Sequence, residues 1–350
     1  MSDSAGDLLR ETAARVFEEY CPPEVVRAAD TGTWQTAAWD AIAEAGLHHA
    51  MLPESAGGYG VAVADAMSLL RVAGEYSVPL PLAETMLASW ILGHAGVEVP
   101  AGPLTVAPVV AGETVTLDGT DGKAVLTGSV SRIPWGRDAV AAAVLAQRAG
   151  QTVVALVLRD AWTVTPEENV AREPRDTLHF TGPVAAVAPT NLTEQDLRAA
   201  GAAMRAQQMA GGLVRLAAMT TQYAQDRIQF GRPIGKFQAV QQNLAVLAGQ
   251  TAAACAAADL AAEAVGDKMR LLPIAAGKAR AGEAAGIGAS IAHQVHGAIG
   301  FTFEHTLHFV TRRLWSWRDE FGNETSWNRV IGRHMATIGA DSVWAEITAA

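Results

Sequence analysis

The stretch RIQFGRPIGKFQAVQQNLA, Arg227–Ala245, decides how the chain is read. A charged residue and a Phe-Gly pair precede a break at Pro233, and an amphipathic helix carrying a row of glutamines follows. An arginine beside a turn offers a planar fork of donors suited to a phosphate or carboxylate. The next helix presents free N–H groups and the positive end of its dipole to the same anion. Gln229, Gln238 and Gln241 add amides that suit sugar hydroxyls or the edge of a heterocycle. On periodicity alone, the same letters also describe a surface arginine with glutamines on a solvated face.

Outward from this stretch the text is helical. Leu216, Thr220, Tyr223 and Arg227 recur on one helical face, and Phe237, Val240, Leu244 and Leu247 mark the next helix. Arg280–Gly300, RAGEAAGIGASIAHQVHGAIG, is a small-residue helix that permits close packing. Between about Leu104 and Pro189 the texture changes to short Val/Thr/Leu-rich runs such as TVTLDGT, KAVLTGSVSRI and TVVALVLRD, separated by Gly, Asp and Pro. These predict the strands of a small barrel or sandwich, with AVAAAVLA ambiguous with helix. Residues 1 to about 102 read again as helices, broken at LPESAGGYG and ended by Pro79 and Pro81. The expected architecture is mainly α with a central β-domain: helical 1–102, β 103–190 and a helical bundle 191–350.

The whole chain narrows the function classes. Its 350 residues are half apolar and 18% charged, which excludes disorder. The balance of 26 Lys+Arg against 36 Asp+Glu disfavours a broad nucleic-acid surface but leaves room for a local basic pocket. Cys21 and Cys255 stand far apart without a CxxC, so neither a disulfide framework nor a thiolate metal site is supported. The opening MSDSAGDLLRETAARVFEEY reads as a polar amphipathic helix rather than a signal peptide. We find no uncharged apolar run of about 20 residues and expect no membrane span. A cytoplasmic, reducing compartment is the expectation.

Two further stretches carry chemistry. QVHGAIGFTFEHTLHFVTRR, Gln294–Arg313, sets Gln294, His296, Gly297 and Gly300 at a helix end, where glycine lets backbone approach a ligand and His296 could donate to it. Glu304, His305 and His308 have metal-like spacing but no further ligands, as on an ordinary helix surface, and no metal is expected. LWSWRDEFGNETSW, Leu314–Trp327, gathers Asp319, Glu320 and Glu324 between tryptophans. A carboxylate held against apolar rings can act as a base, whereas an acidic loop at a helix junction is the plainer reading.

Together these stretches resemble the acyl-CoA dehydrogenase family of flavoenzymes. LPESAGGYGVAVADAMSLLRVAGEYS resembles the family's N-terminal lPeeyGG-G passage, and YAQDRIQFGRPIGKFQAVQQNLA its R-x-x-FG-x-x-I-x-x-FQ signature. QVHGAIG resembles Q-x-hGG-G. The resemblance implies an N-terminal helical domain, a middle β-domain and a C-terminal four-helix bundle, usually tetrameric. It implies FAD as cofactor, an acyl-CoA substrate and an electron-transfer acceptor. In the family the FG-motif arginine and the FQ glutamine bind FAD. Here they are Arg227 and Gln238, with Gln229 and Phe230 close by. The Gln-to-Gly run lies along the ADP half of FAD across a subunit interface, which maps to Gln294, Val295, His296, Gly297 and Ala298.

Family chemistry is α,β-desaturation, in which a glutamate takes the α-proton and flavin N5 the β-hydride. The family's two positions for that glutamate fall here on Phe321 and Gly201, neither of which can remove a proton. Glu320 is one residue short of the first. Glu324 precedes Thr325-Ser326, echoing E-G-T-S, at the cost of an insertion. We rank Glu320 ahead of Glu324. The T-E-P-x-x-G-S-D loop has no counterpart; TVAPVVAGETVTL occupies that region. Where the family carries W-I-T/S beside the flavin ring, this chain has SRIPWGRDA, so Pro134 offers neither hydroxyl nor amide proton. Trp135 is free to stack on a ring or to pack at a strand end. Two expectations follow: a catalytic dehydrogenase using Glu320 or Glu324 and acting as or within a homo- or hetero-tetramer, or a non-catalytic partner that completes the FAD site of a heteromer.

Overall fold

The computed structural model describes residues 5–119, 123–266 and 268–348. Met1–Ser4 of the opening stretch and Thr120 of the TVTLDGT run lie outside them. The chain forms two compact units: Met1–Leu69 with Pro79–Gly201, and Leu70–Val78 with Ala202–Ala350.

The first unit begins with α1 (Ala5–Tyr20), α2 (Pro23–Ala29) and α3 (Thr36–Glu44) and takes in the start of α4 (Val63–Glu75) and all of α5 (Leu82–His94). The stripe of α1 buries Ala13 and Phe17, whereas α5 is buried from Leu82 through Gly93 and serves as a core helix. The strands are β1 (Leu104–Ala107), β2 (Thr116–Asp118), β3 (Val125–Pro134), β4 (Ala141–Arg148), β5 (Gln151–Leu158), β6 (Trp162–Thr165), β7 (Arg175–Phe180) and β8 (Ala186–Pro189). They order as β6-β7-β3-β2-β4-β5-β8, with β1 parallel to β4. The alanine-rich run left ambiguous is strand β4. It pairs with β5 along its whole length and with β1 on its other side, and Ala141–Ala146 are buried. Tertiary burial here overrides alanine's helix propensity.

The second unit is helical. It continues α6 (Glu194–Asp226) and adds α7 (Gln238–Glu263), α8 (Leu271–His296), α9 (Leu307–Asp319), α10 (Glu324–Ile338) and a short α11 (Val343–Thr348). Leu213, Leu216, Leu247, Val310, Leu314 and Trp317 share one core with the alanines of α7 and α8. Small residues bring helices together: a Cβ on Gly277 would lie 2.4 Å from the carbonyl of Ala257, and one on Gly211 only 1.8 Å from that of Arg71. Arg71 then ties the end of α4 to α6 and α7, bonding Gln207 Oε1 (3.1 Å), the Cys255 carbonyl (3.2 Å) and Asp259. By length and composition α7 is apolar enough to cross a bilayer, yet only 22% of its most apolar stretch is buried within the chain. The glutamines and alanines that fill it hid this from a search for a continuous run of large apolar residues.

The α4–α6 crossing yields a test. Gly211→Ala forces backbone apart, so unfolding free energy should fall by about 1–3 kcal/mol, read from urea denaturation.

Candidate functional site

The Arg227 stretch folds as a hairpin between α6 and α7. Arg227 closes the helix through its amide on the Tyr223 carbonyl (2.9 Å). β9 (Ile228–Gln229) then pairs antiparallel with β10 (Arg232–Pro233), Gln229 opposite Arg232. The two turn residues between them, Phe230 and Gly231, both have positive φ, 51° and 79°. That is the left-handed pair a two-residue hairpin demands. Glycine adopts it freely, whereas phenylalanine is strained there, a cost typical of functional turns. The Phe230 ring is 92% exposed and meets Phe237 edge-on at 6.1 Å, while the Arg232 guanidinium lies 4.3 Å from the Phe237 centroid. Phe237 precedes α7 without a side-chain cap, so the first-turn N–H groups of that helix take no bond from it. Arg227, Gln229 and Gln238 are exposed around this helix start. Gln241 is not part of the array: its amide donates to the Gly235 carbonyl at 3.0 Å.

The Gln294 run splits by helical geometry. Gln294, Gly297 and Ala298 are exposed and line an open cavity of about 640 Å³ with Ser290, His293, Phe301 and Trp315. Val295 and His296 lie on the opposite side and are buried. His296 therefore does not reach outward as a donor. Its Nδ1 donates to the Ala292 carbonyl (2.8 Å), its Nε2 has no hydrogen-bond partner, and burial pushes its pKa down and keeps it neutral. Its ring stacks on Tyr223 at 4.4 Å, and the Tyr223 hydroxyl donates to the His296 carbonyl at 3.3 Å. Tyr223 stands one helical turn before Arg227, so this stack joins the two stretches at one end of the helical unit. The sequence reading missed His293, whose ring lies 4.6 Å from Phe301 and 5.7 Å from Trp315, both near parallel. Its place beside Gln294 was the available signal. His305 and His308 make local contacts, His305 edge-on to His296 and His308 Nδ1 donating to the His305 carbonyl.

The acidic stretch is the turn between α9 and α10. Glu320 accepts from Arg205 Nε at 2.7 Å, and the Arg205 side chain is 2% exposed. Arg205 also bonds Gln208 Oε1 (2.5 Å) and lies 5.7 Å over the Phe321 ring. Glu320 is thus an ion-pair partner rather than a carboxylate left against apolar rings. Phe321 is buried with φ 55°, and its carbonyl accepts from Trp327 Nε1 (3.1 Å). Glu324 opens α10, accepts from Arg318 Nε at 2.6 Å and rests on Gly282, where a Cβ would come within 2.1 Å of its oxygen. It lines a second open cavity, of about 860 Å³, with Arg280, Glu283 and Asn328. Asp319 is exposed and Gly201 carries no side chain. In the first unit, the Pro134 carbonyl accepts from Thr105 Oγ1 (2.6 Å), and Trp135 is buried edge-on to Trp34 at 6.3 Å, as a packing residue.

The folded class is a helix–sheet–helix chain with an exposed hairpin at one end of its helical unit. Two family descriptions match: the acyl-CoA dehydrogenase N-terminal domain over residues 4–99 and its C-terminal domain over 197–335. The acyl-CoA dehydrogenase IpdE2 of Mycolicibacterium smegmatis is 30% identical over 317 residues, 88% of this chain and 91% of that protein. IpdE2 of Mycobacterium tuberculosis is 31% identical, over 87% and 89%. A chain of the ChsE4–ChsE5 complex from Mycobacterium tuberculosis superposes with a TM-score of 0.83 at 26% identity, covering 97% of this chain and 99% of that one. The chain belongs to the acyl-CoA dehydrogenase family, oxidoreductases that act on CH–CH groups.

The two carboxylates respond differently to removal. Glu320→Ala removes the ion-pair partner of a buried guanidinium and should cost about 3–5 kcal/mol. Glu324→Ala, whose partner Arg318 is 41% exposed, should cost no more than about 1 kcal/mol. Urea unfolding of both variants separates the two roles.

Proposed function

We propose that this chain is the flavin-gripping subunit of a heteromeric, FAD-dependent acyl-CoA dehydrogenase, completing a cofactor site whose base belongs to a partner chain. The observation that carries this reading is the α9–α10 turn. The family position for the base holds a buried phenylalanine, and the adjacent Glu320 is committed to Arg205. The ChsE4–ChsE5 structure, a complex of two named chains, supports an assembly of unlike subunits.

The residues at the α6–α8 end fit FAD by the chemistry of their donors. An exposed guanidinium, two exposed amides and an uncapped helix start suit a pyrophosphate, and Gln294 beside an open cavity suits the hydroxylated remainder. When bound, the flavin supplies the hydride acceptor for desaturation of an acyl-CoA thioester. This chain's residues do the holding. Arg227 offers its fork to phosphate oxygens, and Gln229 and Gln238 donate and accept beside it. Phe230 presents an exposed ring on a strained turn, where a planar group can cover it. Gln294, Gly297 and Ala298 leave room for close approach. Each charge-assisted bond of this kind contributes about 1.5–3 kcal/mol, so no single residue holds the cofactor. With flavin bound, an electron-transfer acceptor would take up the electrons.

A second reading keeps the base in this chain at Glu324, because that carboxylate borders the 860 Å³ cavity. Expression alone and together with a second family member that carries the glutamate decides between them. We expect a yellow heteromer with acyl-CoA turnover that survives Glu324→Gln in this chain and is lost on Glu→Gln at the partner's base. A homomer that binds stoichiometric flavin, turns over acyl-CoA and loses that activity in Glu324→Gln overturns the proposal.

A further inference from the structure

The α9–α10 turn is held in a conformation its own residues do not favour. Phe321 and Gly322 have consecutive positive φ values, 55° and 99°. Glycine accepts this, and an aromatic residue does so only when its surroundings over-determine it. The strongest restraint comes from another helix. Lys278 sits within α8 and is 1% exposed. Its Nζ donates to the Arg318 carbonyl at 2.6 Å and the Gly322 carbonyl at 2.8 Å, the two ends of the loop that carries Asp319, Glu320 and Phe321. One ammonium therefore bridges the last residue but one of α9 and the residue just beyond Phe321.

We propose that Lys278 is the positioning residue of the α9–α10 turn, the clamp that sets Phe321 in its left-handed conformation and presents Glu320 to Arg205 and Glu324 to Arg318. Among the described residues, the charged groups facing the ammonium are Glu324 from α10, Glu320 from the turn, Asp319 from the end of α9 and Arg205 from α6. The three carboxylates favour the ammonium, while burial, chiefly, and Arg205 oppose it and bring the Lys278 pKa down to about 7. The clamp loses its charge within the neutral range, where an exposed lysine would keep it. No part of this depends on which subunit supplies the base.

Trp327 reports on the clamp directly, because its indole N–H bonds the Phe321 carbonyl. The experiment is 19F NMR of the full chain labelled with 5-fluorotryptophan, the Trp327 resonance assigned by its loss in Trp327→Phe, titrated from pH 5.5 to 9. In the native chain we expect that resonance to shift with a midpoint near 7. Lys278→Met should displace it at every pH and abolish the titration. Lys278→Arg, which stays charged, should abolish the titration too. A Trp327 resonance that Lys278→Met leaves at its native position throughout the pH range overturns the proposal. Should Lys278→Met fail to fold, displacement of the same resonance in Lys278→Arg decides it.

The same residue makes a stability prediction. Its folded pKa of about 7 lies below the ordinary 10.5, so the unfolded chain binds more protons between those values. Stability contributed through Lys278 therefore rises from pH 7 towards 10. The difference in melting temperature between Lys278→Arg and the native chain should widen in the native chain's favour over that window.

Discussion

A buried guanidinium cannot be left without a partner, and Arg205 is such a group. In water it would be solvated; within the helical unit its charge is met by Glu320, its donors are shared with Gln208, and its flat face covers Phe321. Once that demand is met, the chemistry open to the α9–α10 turn is narrowed. A carboxylate whose lone pairs are committed to a buried cation serves the fold. The phenylalanine beside it, locked by Lys278 and Trp327, fills space where a proton acceptor would need room to move.

The opposite end of the same unit shows the reverse economy. Arg227, Gln229, Phe230, Gln238 and Gln294 are exposed, the hairpin turn carries strain, and a helix starts without a cap. Polar groups and an aromatic ring left outward in this way are what a ligand or partner would cover. Tyr223 on His296 keeps the two contributing stretches together, so the exposed end is a preorganised surface. One unit thus holds an outward polar face and a turn in which Glu320 and Phe321 are committed to packing, the combination the proposed subunit would need.

How much of this the sequence disclosed depends on the range of the interactions. The alternation of helical and strand texture was legible because it is local, and the turn before α7 was legible because Arg227, Pro233 and Gln238 lie within one short span, while the pairing of β9 with β10 was not read. The alanine run of β4 was ambiguous, since its strand state comes from pairing with β1 and β5. Glu320 read as a candidate base because its partner lies 115 residues away, and the Lys278 clamp spans 44. The burial of Val295 and His296 follows from helical phase, which turns them away from Gln294, Gly297 and Ala298. The exposure of α7 was hidden by small and amide side chains that satisfy an apolar measure without looking like a stripe.

In the proposed assembly this chain grips a flavin whose chemistry another subunit completes. The most direct measurement is the flavin content of the purified heteromer when Arg227→Ala is made in this chain alone. The account predicts a folded assembly of unchanged mass that has lost flavin and regains it only at raised FAD concentration. Full flavin occupancy with unaltered FAD affinity would contradict it.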